Sequence, residues 1–186
     1  MKKLVVHTDG ACLGNPGPGG WAAILASEGV KKALICGVIA TNTTRMEVQA
    51  AIQALAGLKE PCAVELFTDS EYLREGITKW IHAWKARGWK NKDLWQTLDA
   101  ASANHKVTWH WARGHSGNPG NERCDLLSSA LNHLLRDLVA HFCHLCQAIR
   151  CSRKNLIVPP LISMRRDSRH VIRRLSVRLC LLKFVH

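Results

Sequence analysis

Leu4-Val5-Val6-His7-Thr8-Asp9-Gly10 is an apolar run that ends on a carboxylate followed by a glycine. Its alternation reads as a β-strand over Leu4–Thr8, with Val5, His7 and Asp9 on one face. A second run, Val64-Glu65-Leu66-Phe67-Thr68, ends the same way, on Asp69 and Ser70. Two short strands that each deliver an aspartate at the C-terminal end point to one functional sheet edge.

The surrounding chain alternates between elements. The turn-dense loop Gly14–Gly20 leads to strands at Trp21–Ala26 and Ala33–Ile39, with a hairpin turn at Glu28-Gly29 between them. Arg45–Leu58 reads as a helix, with Val48, Ala51, Ile52, Leu55 and Leu58 at helical spacing, and Pro61 ends that region. Ser70 can cap a helix running toward Trp80, and Asn91 or Asp93 another through Ala101. Lys106–Trp111 is a last strand, and a Gly/Asn/Pro loop leads to a helix from about Asn121. Hairpin strands followed by strands alternating with helices predict an α/β fold, a mixed five-stranded sheet flanked by helices.

The 186 residues suit one domain with an appendage. The net charge of +12 and pI near 9.7 favour a polyanionic partner, but the charge is uneven. Residues 1–130 hold 15 Lys/Arg against 12 Asp/Glu; residues 131–186 hold 11 against 2. All 13 glycines lie at or before Gly120 and all seven tryptophans at or before Trp111. A 56-residue tail of ordinary composition would hold about four glycines. The expected division is a catalytic domain over residues 1–135 and a basic C-terminal extension, helical or disordered, over 136–186. The eight cysteines are scattered, Met1-Lys2-Lys3 opens no signal peptide, and no stretch nears the roughly 20 apolar residues of a membrane span. These features predict a soluble, cytoplasmic protein with free thiols.

Four acids stand at junctions: Asp9, Glu47, Asp69 and Asp125. Each has an ordinary structural explanation. Thr44-Arg45-Met46-Glu47 fits a capping box, Asp69 could cap the next helix, Asp9-Gly10 suits a turn, and Asp125 complements a helix dipole. Converging on one sheet edge, however, these anions would repel one another unless cations held them together. Hard cations bind through carboxylate oxygens.

The flanking residues decide between these readings. T-D-G-A-C-L-G-N-P-G-P-G-G over 8–20, T-R-M-E over 44–47, T-D-S over 68–70 and G-H-S-G-N-P-G-N-E-R-C-D over 114–125 occur in that order. With G-I-T-K-W-I-H-A-W-K-A-R-G-W-K and D-L-W between, the first 130 or so residues resemble type 1 ribonuclease H, close to the bacterial monofunctional enzyme. The resemblance implies a ribonuclease H-like fold and a monomeric endonuclease that cuts the RNA strand of RNA–DNA hybrids, leaving 5′-phosphomonoesters. It implies two Mg2+ ions, for which Mn2+ can substitute, held by Asp9, Glu47, Asp69 and Asp125. His115 corresponds to the family's loop histidine, assisting proton movement or product departure. Cys12, Asn15, Thr43 and Thr44, with Trp80, Trp84, Lys85, Arg87, Trp89 and Lys90 of a basic protrusion, correspond to hybrid-contacting positions. Trp80 is expected to belong partly to the core.

The chain departs from the pattern in places. Thr43 and Thr44 stand where the family usually has two asparagines, Glu71 where a glutamine is frequent, and the protrusion is several residues short before Asp93. The rival readings are another nuclease of the superfamily and a hybrid-binding protein without catalysis.

In the tail, Leu127, Leu131, Leu134, Leu138, Phe142, Leu145 and Ile149 keep helical spacing, so the helix bearing Asp125 is expected to run past the domain end. Cys143-His144-Leu145-Cys146, with His141 and Cys151 nearby, invites a zinc reading, but thiols beside an apolar stripe are the favoured explanation. After Pro159-Pro160, Arg165, Arg166, Arg169, Arg173, Arg174 and Arg178 form a basic stretch that could meet nucleic acid or an anionic membrane. A non-homologous extension without a selected role is the favoured reading.

Overall fold

The computed structural model describes residues 1–81, 83, 91–114, 116–152 and 179–184, with 142–152 and 179–184 described by backbone alone. Strand β1, Lys2–Cys12, is central, running antiparallel to β2 (Gly17–Ser27), which pairs antiparallel with β3 (Val30–Thr41). On its other side β1 pairs in parallel with β4 (Cys62–Thr68), and β4 with β5 (Lys106–Trp111). Thr8 faces Thr68 in this register, so Asp9 and Asp69 leave neighbouring strands at the same edge.

The five strands are those read from the sequence, and β1 to β3 run several residues longer. Ser27 pairs with Val30, and both intervening residues have positive φ, as two-residue hairpins favour. The sheet also gains a sixth strand, β6 (Leu179–Phe184), antiparallel to β3 from Gly37↔Leu179 to Lys32↔Phe184. Its six-residue run carried no turn signal that would have marked it as a strand.

Helix α1 spans Thr43–Ala56. Its N-cap is Asn42, whose side chain accepts from the Arg45 amide at 2.9 Å, so the capping box offered as the ordinary explanation of Glu47 does not form. Ser70 does cap α2 (Glu71–Glu75), accepting from the Leu73 amide at 3.3 Å. A π-helical turn over Gly76–Trp80 follows α2. Helix α3 is Lys92–Ala103, and α4 runs unbroken over Pro119–Ser152, well past the expected domain end.

Helices cover both faces of the sheet. On one face, α1 and α3 bury Val6, Trp21, Val48, Leu55, Leu66 and Trp95 in the main core. On the other, α4 lies across β1, β2 and β3, burying Ala22, Ile24 and Cys124. The alternation in β1 holds: Val6 and Thr8 are fully buried in the first layer, while His7 and Asp9 face the α4 side.

The close approach of α1 to β1 needs a residue without a side chain at Gly10, where a Cβ would lie 2.2 Å from the Glu47 amide nitrogen. We predict that Gly10→Ala lowers stability by about 1–3 kcal/mol, measured by urea denaturation, because backbone rather than a movable side chain must give way.

Candidate active site

Asp9, Glu47 and Asp69 are brought together: an oxygen from each lies within 4.8 Å of those from the other two. Three separate elements supply them, which is why no single tripeptide discloses the cluster. Asp9 comes from β1, Glu47 from the first turns of α1 above Gly10, and Asp69 from the residue after β4. Asp9 and Glu47 are buried and Asp69 is half-buried.

The backbone around Asp69 is held firmly. The Trp111 indole donates to its carbonyl at 3.1 Å, the Thr68 hydroxyl accepts from the Ser70 amide at 3.1 Å, and the Ala112 amide donates to the Thr68 carbonyl at 2.8 Å. Its carboxylate accepts from the Asn121 side-chain amide at 3.1 Å. Gly114 lies so near that a Cβ there would sit 2.9 Å from an Asp69 oxygen, which places the start of the 113–118 loop over the site.

Asp125 is half-buried on α4, one turn from Ser128, whose hydroxyl is hydrogen-bonded to Asp9 and lies 3.0 Å from the Asp125 carbonyl. The Ser129 hydroxyl is 3.4 Å from the Asp125 carboxylate. Asp125 and Asp69 both act electrostatically on Asp9, so the fourth acid belongs to the same field.

That field is strongly negative. Burial, opposed by the Ser128 hydrogen bond and reinforced by Asp69 and Asp125, pushes Asp9 up to about 6. Burial, then the charges of Asp9 and Asp69, pushes Glu47 well above the ordinary carboxylate range. Burial and the Asp9 charge also push the Cys124 thiol up. Among the described residues no lysine or arginine forms an ion pair with Asp9, Glu47 or Asp69. Glu47 Oε2 is buried without a hydrogen-bond partner. A buried carboxylate oxygen aimed at two other carboxylates fits a hard cation, and the all-oxygen donor set suits magnesium or manganese rather than a soft metal.

A family model for RNase H matches residues 1–132. The chain belongs to the RNase H family. It is 53% identical over 137 residues to the ribonuclease H of Cupriavidus metallidurans, covering 69% of this chain and 94% of that protein. It is 56% identical over 138 residues to that of a Chelativorans species, covering 70% and 85%. Among solved structures it resembles LC9-RNase H1, described as a type 1 RNase H with the type 2 active-site motif, at 33% identity and TM-score 0.65 over 72% of this chain and 73% of that one. The fold is shared with LC11-RNase H1 in complex with an RNA/DNA hybrid, at 20% identity and TM-score 0.57 over 68% and 94%.

The other expected contact positions of this RNase H divide in two. Cys12, Asn15, Thr43 and Thr44 lie at one end of the sheet beside Asp9 and Glu47: the Cys12 thiol donates to the Gly17 or Thr41 carbonyl at 3.3 and 3.4 Å, Asn15 and Thr43 are exposed, and Thr44 is half-buried. Trp80, expected to belong partly to the core, is 39% exposed and lies outside the core cluster, meeting Tyr72 edge-on at 6.3 Å. Trp84, Lys85, Arg87, Trp89, Lys90 and His115 lie outside the described residues, as do the side chains of Cys143, His144, Cys146 and Cys151 and the arginine-rich stretch over 165–178.

Sequence reasoning missed Asn121 and Ser128. The α4 stripe Asn121, Cys124, Ser128, Asn132 is buried and largely polar at helical spacing.

Asp9 makes stability depend on pH in a defined direction. An acid whose folded pKa is raised binds its proton more tightly in the folded state, so stability falls as pH rises from the unfolded value toward the folded one. Without divalent metal, Asp9→Asn should change stability little near pH 4. Above about pH 6 it should gain as much as about 3 kcal/mol over the parent, read from urea denaturation in chelator.

Proposed function

We propose that this RNase H hydrolyses the RNA strand of RNA–DNA hybrids, with two magnesium ions held by Asp9, Glu47, Asp69 and Asp125. The observation that carries the proposal is the trio of carboxylates within 4.8 Å, two of them buried, together with a buried Glu47 oxygen that has no hydrogen-bond partner. A pair of divalent ions, when bound, activates the attacking water and stabilises the leaving oxygen of the phosphodiester.

The chain's own residues prepare that chemistry. Asp9 and Glu47 are held where burial and mutual repulsion make a cation the favoured neighbour. Asn121 orients Asp69. Cys12, Asn15, Thr43 and Thr44 are assigned to meet the hybrid's minor groove, where the 2′-hydroxyl of RNA is displayed. Trp80, with Trp84, Lys85, Arg87, Trp89 and Lys90 of the basic segment, is assigned to contact the hybrid, the cations suiting phosphates. His115, which follows Gly114 in the sequence, is assigned proton movement or product departure.

We further assign the catalytic unit to residues 1–135 and read 136–186 as a basic extension without a selected role. A monomer in a reducing cytoplasm is consistent with the free thiols of Cys12, Cys36, Cys62 and Cys124, and none of the described helices is long and apolar enough to cross a membrane.

With Mg2+ the protein should cleave the RNA of a labelled hybrid, and chelator should stop it. Cleavage of the DNA strand or of single-stranded RNA instead would contradict the substrate assignment. Asp9→Asn should lower turnover by about a thousandfold, about 4 kcal/mol of transition-state stabilisation, with its circular dichroism unchanged. A chain truncated after Ala140 should keep hybrid cleavage; inactivity in a folded truncation would move the domain end into the tail.

A further inference from the structure

The Ser128 side chain is completely buried on the inward side of α4, and its Oγ is hydrogen-bonded to Asp9 Oδ2. The Asp125 carbonyl is 3.0 Å from the same Oγ. A serine hydroxyl has one proton, so it serves one of these acceptors at a time. A mid-helix serine ordinarily returns its proton to a carbonyl one turn back, as Asp125 offers here. The carboxylate of Asp9 is the stronger acceptor when charged, and the hydroxyl stays within reach of both acceptors. Alanine would favour the helix more, so the local preference of α4 does not account for a buried serine at this position.

Resting on the metal-centre reading above, we propose that Ser128 is a positioning residue of that centre. Its hydroxyl fixes one oxygen of Asp9 against α4 and leaves the other to face a cation. The same helical turn carries Asp125, so this one bond ties the acid on β1 to the acid on α4 across 119 residues of chain. Asn121 makes the equivalent tie to Asp69 about two turns earlier, and α4 thereby orients both aspartates. Loss of the Ser128 hydroxyl frees Asp9 to rotate, and the metal then has to supply the ordering that the hydrogen bond supplied.

The test is calorimetric titration of the full chain with Mg2+ alone, with hybrid cleavage against Mg2+ concentration alongside. Ser128→Ala should weaken Mg2+ binding roughly tenfold and raise the Mg2+ needed for half-maximal cleavage by the same factor. At saturating Mg2+ the KM for hybrid should be unchanged, a split that general damage to the fold would not produce. Ser128→Thr, which keeps the hydroxyl, should restore Mg2+ affinity. Parental affinity in Ser128→Ala overturns the inference. Should the alanine variant be unfolded in chelator, the threonine variant decides: parental affinity supports positioning, and weakened affinity overturns it. A parent chain that binds no Mg2+ overturns the metal centre itself, an outcome distinct from parental affinity in the variant.

Discussion

Mutual repulsion among Asp9, Glu47 and Asp69 is the constraint around which this end of the fold is arranged. Their oxygens lie within 4.8 Å of one another, two of the three residues are buried, and no described lysine or arginine pairs with them. Such a cluster costs folding free energy at neutral pH, so other packing must hold it in place. The surrounding structure is correspondingly firm: a parallel β1–β4 register, a helix seated on Gly10, and a second helix across the opposite face. A cation reverses the sign of the interaction and turns the cost into a binding site.

The two helical layers have different parts in this. Helix α1 closes the main core through Val48, Ile52 and Leu55 and delivers Glu47 at its first turns. Helix α4 buries little beyond Cys124, Leu131 and Leu135, yet it supplies Asp125, Ser128 and Asn121 to the acids. Burying the polar side chains Asn121, Ser128 and Asn132 would cost stability without partners. Asn121 and Ser128 have the strand-end aspartates as acceptors. Asn121 and Ser128 thus belong to the site, and the apolar stripe of α4 to the sheet.

Much of this was legible in the sequence, for identifiable reasons. The strand at Leu4–Thr8 and its partner at Val64–Thr68 are short apolar runs with period-two alternation, and both form. Asp9 and Asp69 were visible because each follows such a run directly. Glu47 was ambiguous: its spacing from Thr44 fitted a capping box, and only the packing of α1 on Gly10 shows that Asn42 caps the helix while Glu47 is buried. Ser128 and Asn121 were not legible, because a serine or asparagine on a helix says nothing of its partner until the sheet beneath is in place. The pairing of Leu179–Phe184 with β3 was hidden for a similar reason, since the choice of sheet edge is a long-range contact. Net charge was the weakest guide, with most of it lying beyond the family match.

The central claim is that four acids from β1, α1, the end of β4 and α4 form one metal centre. Anomalous diffraction from crystals of the protein with Mn2+ and an RNA–DNA hybrid tests it most directly. The account predicts two Mn2+ peaks about 3.5–4 Å apart, both coordinated by carboxylates of Asp9, Glu47, Asp69 and Asp125 and flanking one RNA phosphate. Peaks placed elsewhere on the chain, with these four carboxylates carrying no ion, would contradict it.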